Sequence, residues 1–231
     1  MSERPEGPSQ IPFDFLPPRR RAMGRGDFFV SASNAEALAL IDGWRSWPEK
    51  RLALVGPAGS GKTHLAHVWM AAANAEKVAA ERLSTDDAPL LIEAQAVAVE
   101  GADRIAGAEE AERALFHLMN LARERETPIL VTGRAAPDRW GIATPDLRSR
   151  LAALAVARLD RPDDALLLQL LRKQFDDRGL KVEDAVLEYL SRRMERSAAA
   201  VGALVARLDE RSLVEGRRID RRLARETLDA P

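Results

Sequence analysis

The sequence contains no cysteine, and this absence removes several kinds of chemistry at once. Disulfide bridges, thiolate metal sites and cysteine nucleophiles are all excluded. Histidine is also scarce. His64 and His67 lie on one predicted helix with no evident third ligand, so a helix surface explains them better than a metal site does. The net charge of −1 provides no overall field to attract nucleic acid, and any such contact would need a local patch.

Long apolar runs are missing as well. No stretch reaches the length that crosses a bilayer, and the N-terminus lacks the apolar core of a signal peptide. We therefore expect a cytoplasmic protein with no membrane partner. What is present is a globular composition, 46% hydrophobic and 31% charged, in 231 residues. That length suits one α/β domain with a small appendage, or two small domains.

The chain divides into three predicted regions. Residues 1–27 are expected to be a flexible tail, because repeated prolines and glycines deny them regular structure. Residues 28–160 alternate short apolar runs with helical patterns, which is typical of a parallel three-layer α/β sheet. Residues 161–231 show helical spacing alone and predict a small all-helical domain. The tail also holds a cluster of large apolar residues, which normally seek a partner surface: Ile11, Phe13, Phe15 and Leu16.

The positions of apolar runs predict five strands. Buried strands are predicted at 52–55, 97–100, 128–132 and 156–159, with a weaker candidate at 78–83. Helices are expected to begin after Ser33 or Asn34, at Lys62, and after a cap at Asp163 or Asp164, and helical spacing also covers 109–124. Further helical spacing follows to the end of the chain.

The most informative motif follows the first buried strand. Gly56-Pro57-Ala58-Gly59-Ser60-Gly61-Lys62-Thr63 fills every position of the Walker A pattern, and it lies between a predicted strand and a predicted helix. The glycines allow backbone N–H groups to surround an anion, which then lies at a helix N-terminus. Lys62 is expected to reach the β and γ phosphates of a nucleotide, and Thr63 to bind Mg²⁺.

Two other strand ends carry candidate polar groups. Glu100 ends the strand at 97–100, where P-loop proteins place an acid that helps to hold Mg²⁺. The next residue is Gly101, at a position where related hydrolases commonly carry a second acid, and Asp103 is expected to point elsewhere. Thr132 ends a neighbouring strand, where its hydroxyl either contacts the γ-phosphate or caps the strand.

Leu147-Arg148-Ser149-Arg150-Leu151 contains two arginines just before the last strand. A guanidinium supplied to a neighbouring active site stabilises developing phosphate charge, although spacing alone equally allows a surface ion pair.

These segments together resemble the AAA+ domain of the DnaA replication initiators. The resemblance covers residues 27–228 and is carried by Gly61-Lys62-Thr63-His64-Leu65, by 147–151, and by Asp27-Phe28-Phe29-Val30 with Ser33-Asn34, which is similar to the family's adenine-contact segment. DnaA carries a DNA-binding domain after its lid, for which a chain ending at Pro231 leaves no room. The tail segment Gln10-Ile11-Pro12-Phe13-Asp14-Phe15 looks like a sliding-clamp-binding motif. The combination is similar to the Hda/HdaA regulators, and Glu100 favours the alphaproteobacterial type.

The resemblance implies a negative regulator of replication initiation that holds ADP or ATP with Mg²⁺. Such proteins bind the sliding clamp and stimulate hydrolysis of the ATP held by DnaA. By match, Arg150 is the finger acting in trans, Gln10, Ile11, Phe13 and Phe15 are the clamp anchors, and His64 follows the phosphate loop. A finger acting in trans implies at least transient assembly, with a partner or a second copy.

Two departures from the family's pattern indicate that the chain itself hydrolyses ATP weakly or not at all. Gly101 lacks the second acid, and Ala199 stands where the lid is expected to carry a sensor arginine. The alternatives are an autonomous ATPase of helicase-loader or DnaA type, a small P-loop kinase, and a tail that folds back without clamp function. The lid contains a group of arginines: Arg217, Arg218, Arg221, Arg222 and Arg225. They could form a basic face that contacts DNA, but a solvated helix whose arginines pair with acids explains them better.

Overall fold

The computed structural model describes residues 25–230. Its helices and strands follow in chain order: α1 Ala35–Asp42, β1 Arg51–Val55, α2 Lys62–Ala73, β2 Ala75–Ala79, α3 Ala88–Leu91, β3 Ala96–Glu100, α4 Glu109–Glu124, β4 Ile129–Gly133, α5 Pro145–Ala152, β5 Ala155–Arg158, α6 Asp164–Asp176, α7 Asp184–Ser191, α8 Ala198–Glu215 and α9 Arg221–Asp229. Short 3-10 turns connect several of them.

The five strands form one parallel sheet in the order β2-β3-β4-β1-β5. β1 therefore lies between β4 and β5, and β4 separates it from β3. Because all strands run in the same direction, their carboxyl ends meet at one edge, which is where parallel α/β sheets bind ligands. The Walker A loop and the polar residues that end β3 and β4 are thereby placed at this edge.

Helices cover both faces of the sheet. In β1, Leu52 and Leu54 pack with α1 and α2 on one face, whereas Ala53 and Val55 pack with α3, α4 and α5 on the other. Successive side chains of a strand point to opposite faces, so an entirely apolar strand fits only a sheet buried on both sides. The predicted three-layer α/β architecture is confirmed.

The helical domain from α6 to α9 has an apolar core of its own, which contains residues such as Leu171, Phe175 and Leu208. Asp163 caps α6 by accepting a hydrogen bond from the Leu166 N–H, 2.8 Å away. Ser197 and Asp220 cap α8 and α9 in the same way. A lid-like helical domain following the sheet domain is as predicted.

The weak strand candidate at 78–83 was misplaced. β2 covers Ala75–Ala79, and the following residues form a 3-10 turn at Ala80–Arg82. β2 is an edge strand whose Glu76 and Lys77 are exposed, so its apolar signal is short, and the buried Leu83 shifted the prediction toward the turn.

Candidate functional site

The Walker A loop joins β1 to α2 and has the geometry of a phosphate cradle. Gly59 and Gly61 have φ angles of +75° and +96°, which side-chain-bearing residues rarely adopt. At Gly56, an added Cβ would lie 2.4 Å from the Leu159 carbonyl oxygen, so only glycine fits. The Ser60 hydroxyl is buried and has no hydrogen-bond partner within the described residues. A cradle shaped this way, with a free hydroxyl inside it, fits a phosphate group.

Lys62 opens α2 and turns its ammonium group into the loop. Its Nζ donates hydrogen bonds to the carbonyl oxygens of Gly56 and Pro57, at 2.6 and 2.8 Å. Burial lowers the pKa of this ammonium, Asp103 opposes the change, and Arg134 and Arg104 add to it. The lysine is therefore held at the mouth of the cradle, where a nucleotide's phosphates would replace its carbonyl partners.

Phe28 and His64 pack together beside the cradle. Their rings meet edge to face with centroids 5.2 Å apart, and a Cβ added at Gly61 would lie 3.9 Å from Phe28. The predicted base-contact segment is held here by Asn34, whose side chain donates to the Phe29 carbonyl at 2.8 Å and accepts from the Ser31 N–H at 2.9 Å. The segment thus lies against the start of α2, where a nucleotide's base can lie next to its phosphates.

The candidate Mg²⁺ ligands are Thr63 and Glu100. Glu100 Oε2 accepts from Lys77 Nζ on the neighbouring strand at 3.3 Å, whereas Oε1 is buried and has no partner within the described residues. A buried carboxylate oxygen without a partner fits a bound cation or its hydration water. Mg²⁺ in such sites usually binds one or two carboxylates together with substrate phosphates. Thr63, exposed on the first turn of α2, supplies a hydroxyl of the right chemistry.

The chain after β3 turns sharply at Gly101, which has a φ of +71°. The Gly101 N–H donates to Thr132 Oγ1 at 3.0 Å in a buried hydrogen bond that joins the ends of β3 and β4. A 3-10 turn, Ala102–Ile105, then carries Asp103 back toward β4, where its carboxylate accepts from the Arg134 N–H at 3.1 Å. Asp103, expected to point elsewhere, thus contacts the backbone at the end of β4, and its charge counters the lowering of the Lys62 pKa by burial.

Arg134 is a candidate that the sequence reasoning missed. It follows β4 directly, and the preceding residue, Gly133, accepts a hydrogen bond from the Gly56 N–H at 3.3 Å. The only signal in the sequence is a basic residue just after a polar strand end, which many surface turns share. The neighbouring Arg104 forms an ion pair with Glu81 at 3.3 Å.

The lid touches the cradle through the start of α8. The Ala198 N–H donates to the Gly59 carbonyl at 3.2 Å, and a Cβ added at Gly59 would lie 2.3 Å from the Ser197 Cβ. Ala199, which stands where an arginine was expected, is exposed on this first turn and contributes only a methyl group. The lid therefore contacts the phosphate loop through backbone and small side chains.

Arg150 lies near the end of α5, on the opposite side of the sheet from α2. Its guanidinium carbon lies 5.1 Å from the centre of the Phe116 ring on α4. Among residues 25–230, no carboxylate lies within ion-pair distance of it. After burial, Arg150 and Arg123 are among the causes that lower the pKa of Arg51, opposed by Glu49. The candidate finger is thus a half-exposed cation in a basic neighbourhood, suited to an incoming anion.

Glu112 ties α5 to α4 and was also missed. This fully buried carboxylate accepts hydrogen bonds from the N–H groups of Gly107, Ala143 and Thr144, at 2.8 to 3.0 Å, and from the Thr144 hydroxyl at 2.6 Å. Because Thr144 is the N-cap residue that immediately precedes α5, Glu112 fixes the start of the helix on which Arg150 lies.

Other predicted features lie elsewhere. The clamp-motif residues Gln10, Ile11, Phe13 and Phe15 lie outside the described residues. In the lid, Arg217 pairs with Glu215 at 2.8 Å, and Arg222 pairs with Glu226 at 2.8 Å. Arg221 lies 5.0 Å from the centre of the Tyr189 ring. Two of the five lid arginines are therefore paired with acids, as expected of a solvated helix.

Within the described chain, no helix has the length and apolar character needed to cross a membrane.

Comparison with protein families identifies the helical domain. Residues 163–228 match the family described as Hda, lid domain. This match covers α6 to α9 and agrees with the separate apolar core of that part of the chain.

Solved structures identify the fold of the larger region. Domain III of the replication initiation protein DnaA from Thermotoga maritima matches with a TM-score of 0.76 and 17% identity, over 92% of this chain and 98% of that one. AMPPCP-bound DnaA from Aquifex aeolicus gives 0.70 and 18%, over 92% and 71%. RuvB from Thermotoga maritima gives 0.65 and 19%, over 84% and 65%. At these identities the likeness establishes a shared AAA+ fold.

Proposed function

We propose, on the premise that this chain is an AAA+ protein of the Hda and DnaA-related family, that it is a nucleotide-bound negative regulator of replication initiation. The premise rests on the lid match and on the DnaA-like fold. In the proposed function the chain binds the sliding clamp, docks on ATP-bound DnaA and inserts Arg150 into the DnaA site. The hydrolysis that it promotes takes place in its partner.

The observation that carries this proposal is the setting of Arg150. Its guanidinium is held against Phe116 and has no carboxylate partner within the described residues. Arg113 on the neighbouring helix forms an ion pair with Glu109, whereas the Arg150 guanidinium lies against an aromatic ring. An arginine that lies against an aromatic ring and has no acid partner among the described residues suits a role in a neighbouring phosphate site.

The chain's own nucleotide has a structural role in this proposal. ADP or ATP, with Mg²⁺ held by Thr63 and Glu100, fills the cradle from Gly56 to Thr63, and Thr132 faces its terminal phosphate. DnaA relatives solved with AMPPCP support nucleotide binding by this fold. Gly101 and Ala199 remove two groups that promote turnover, so we expect hydrolysis by the chain alone to be weak or absent.

The decisive experiment measures hydrolysis of DnaA-bound ATP in the presence of clamp and DNA. Wild type should stimulate the reaction, and Arg150→Ala should lose most of that stimulation, because loss of a finger acting in trans costs about a thousandfold or more. Arg148→Ala is the matched control, since Arg148 is exposed on the same helix. Equal stimulation by wild type and Arg150→Ala would remove Arg150 from its proposed role.

Clamp binding is proposed from the tail motif alone. In a pulldown with the sliding clamp, wild type should be retained and a Gln10→Ala/Phe15→Ala variant should not, whereas Ser9→Ala should behave as wild type. Retention of neither protein would favour a tail that packs on its own domain, and equal retention of both would show that clamp binding does not depend on this motif. An apolar pocket filled by Phe15 is the physical basis of the expected loss.

A second candidate function is an autonomous AAA+ ATPase of helicase-loader or DnaA type. The complete Walker A loop favours it, because Gly59 and Gly61 have positive φ angles that suit a phosphate cradle and Lys62 begins α2. Rapid hydrolysis by the purified chain alone, lost in Lys62→Ala, would support this alternative and contradict weak turnover.

A further inference from the structure

Arg134 lies beside the phosphate cradle through a short chain of backbone contacts. Gly133 is paired with Val55 in the sheet, and its carbonyl accepts from the Gly56 N–H at 3.3 Å. The Gly56 carbonyl in turn accepts from Lys62 Nζ at 2.6 Å. Arg134 is the next residue after Gly133, so its side chain begins where β4 ends, next to the mouth of the cradle.

Asp103 fixes the backbone of Arg134. Its carboxylate accepts the Arg134 N–H at 3.1 Å, and it is itself placed by the turn that begins at Gly101. That turn is held to β4 by the bond from the Gly101 N–H to Thr132 Oγ1. The polar ends of β3 and β4 thus form one connected unit, which presents Arg134 at the edge of the site.

The guanidinium of Arg134 is available for a ligand. It is exposed, and within the described part of the chain no acid forms an ion pair with it, whereas the nearby Arg104 is paired with Glu81. Lys62 and Arg134 both extend from backbone that borders the loop, because Lys62 Nζ donates to the Gly56 carbonyl and the Gly56 N–H donates to the carbonyl of Gly133, the residue before Arg134. Two cations held near each other at a phosphate loop favour an anion between them.

The lid leaves a role unfilled on this side of the site. The side chain of Ala199 has no hydrogen-bonding group, although the first turn of α8 reaches the loop, where the Ala198 N–H donates to the Gly59 carbonyl. A triphosphate has one more phosphate group than a diphosphate, and about one more negative charge near neutral pH, so an additional cation beside the cradle favours the triphosphate.

We propose that Arg134 binds the terminal phosphate of a bound nucleoside triphosphate in place of the missing lid arginine, and that Asp103 positions it. The inference rests on the proposed nucleotide binding at the cradle. It assigns Arg134 as the residue that distinguishes ATP from ADP. This discrimination therefore depends on a residue at the carboxyl edge of the sheet and not on the lid.

The test is the affinity of the full chain for AMPPCP and for ADP, each with Mg²⁺, measured by titration calorimetry. Arg134→Ala should weaken AMPPCP binding about tenfold or more, as expected for loss of a charged hydrogen bond, and change ADP binding less than twofold. Arg134→Lys should restore part of the AMPPCP affinity. Arg139→Ala is the matched control, because Arg139 is an exposed arginine in the same segment.

Asp103→Asn tests the positioning role. It removes the charge but keeps an oxygen that can accept the Arg134 N–H, so AMPPCP affinity should fall less than in Asp103→Ala. Thermal unfolding of each variant establishes that it is folded.

Comparing wild type with Arg134→Ala tests nucleotide binding and the role of Arg134 separately. Wild type that binds neither nucleotide would overturn the proposed nucleotide binding and this inference with it. Wild type that binds both, with Arg134→Ala unchanged or equally weakened for both, would overturn the inference alone.

Discussion

Glu112 is a buried carboxylate whose charge is held entirely by hydrogen bonds. Burial alone would raise its pKa, but hydrogen bonds from Thr144, Ala143 and Gly107 lower it to about 2 from an ordinary value of 4.5. A lowered pKa means that the charged form stabilises the fold above pH 4.5. That contribution is lost as the pH falls toward 2, and the shift corresponds to about 3 kcal/mol.

Glu112→Gln should therefore destabilise the protein by about 3 kcal/mol at pH 7, because it removes the charge and points an amide N–H₂ group at N–H donors. Urea unfolding at a series of pH values measures this. The gap between wild type and variant should narrow as the pH falls from 5 toward 2. Glu110→Gln, at an exposed position on the same helix, should have little effect. A gap that does not depend on pH would contradict the charged role of Glu112.

Gly59 combines a left-handed backbone with contact from the lid. Gly59→Ala should cost about 1–2 kcal/mol for its φ of +75° and a further amount for displacing Ser197, whose Cβ lies 2.3 Å from the added atom. Gly179→Ala is the matched control, since its φ is +70° and nothing lies within 4 Å. Thermal unfolding and nucleotide affinity distinguish the two: only Gly59→Ala should weaken nucleotide binding. If Gly59→Ala and Gly179→Ala changed the unfolding temperature and the nucleotide affinity by the same amounts, the contact between Ser197 and the loop would be unimportant.

At the scale of elements, how well the sequence predicted structure depended on burial. Helix α4 was predicted at its observed limits because one face repeats buried apolar residues at helical spacing, among them Leu115, Leu118 and Ala122. β1, β3 and β4 were found because they are apolar on both faces. β2 was misplaced because an edge strand needs few apolar residues, and two of its five are exposed and charged.

The site residues that belong to one contiguous motif were predicted from the sequence. Those that only the fold brings together were missed. The Walker A loop is a single segment, so its residues were identified together. Asp103 and Arg134 are 31 residues apart and meet only because β3 and β4 are neighbours in the sheet. Strand order is not encoded in local spacing, and so no pattern indicated that the Asp103 carboxylate would accept the Arg134 N–H.

Helix α4 supports the candidate finger through Phe116, whose ring lies 5.1 Å below the Arg150 guanidinium. Phe116→Leu keeps an apolar side chain but removes the aromatic face, which contributes about 0.5–1 kcal/mol at an exposed cation–π pair. We expect stimulation of DnaA to fall by about twofold to fivefold, well short of the loss in Arg150→Ala.

His117→Ala, at the adjacent half-buried position, serves as the control for this change. If Phe116→Leu stimulates DnaA as well as wild type does, the ring does not position the finger. If it abolishes stimulation and lowers the unfolding temperature, its role is structural.

At the scale of the whole molecule, the described residues form three apolar cores. Two lie on the faces of the sheet, and the third lies within the lid. The lid meets the sheet domain through few polar contacts, including Ala198 to Gly59 and the Ser33 N–H to Asp163 at 3.4 Å. A nucleotide in the cradle would add contacts at this junction, so nucleotide binding should stabilise both domains together.

This coupling predicts a ligand-dependent shift in unfolding temperature. At a nucleotide concentration about 100 times Kd, a ligand that binds only the folded state stabilises it by about 2.7 kcal/mol, which corresponds to roughly 5–10 °C for a chain of this size. Lys62→Ala should lose the shift, whereas Lys181→Ala, an exposed lysine of the lid, should keep it. Hydrogen exchange should show protection at the start of α8 as well as at the cradle. Protection confined to the cradle would mean that the lid does not respond to the nucleotide, and that Ala198 and Gly59 touch without coupling the two domains.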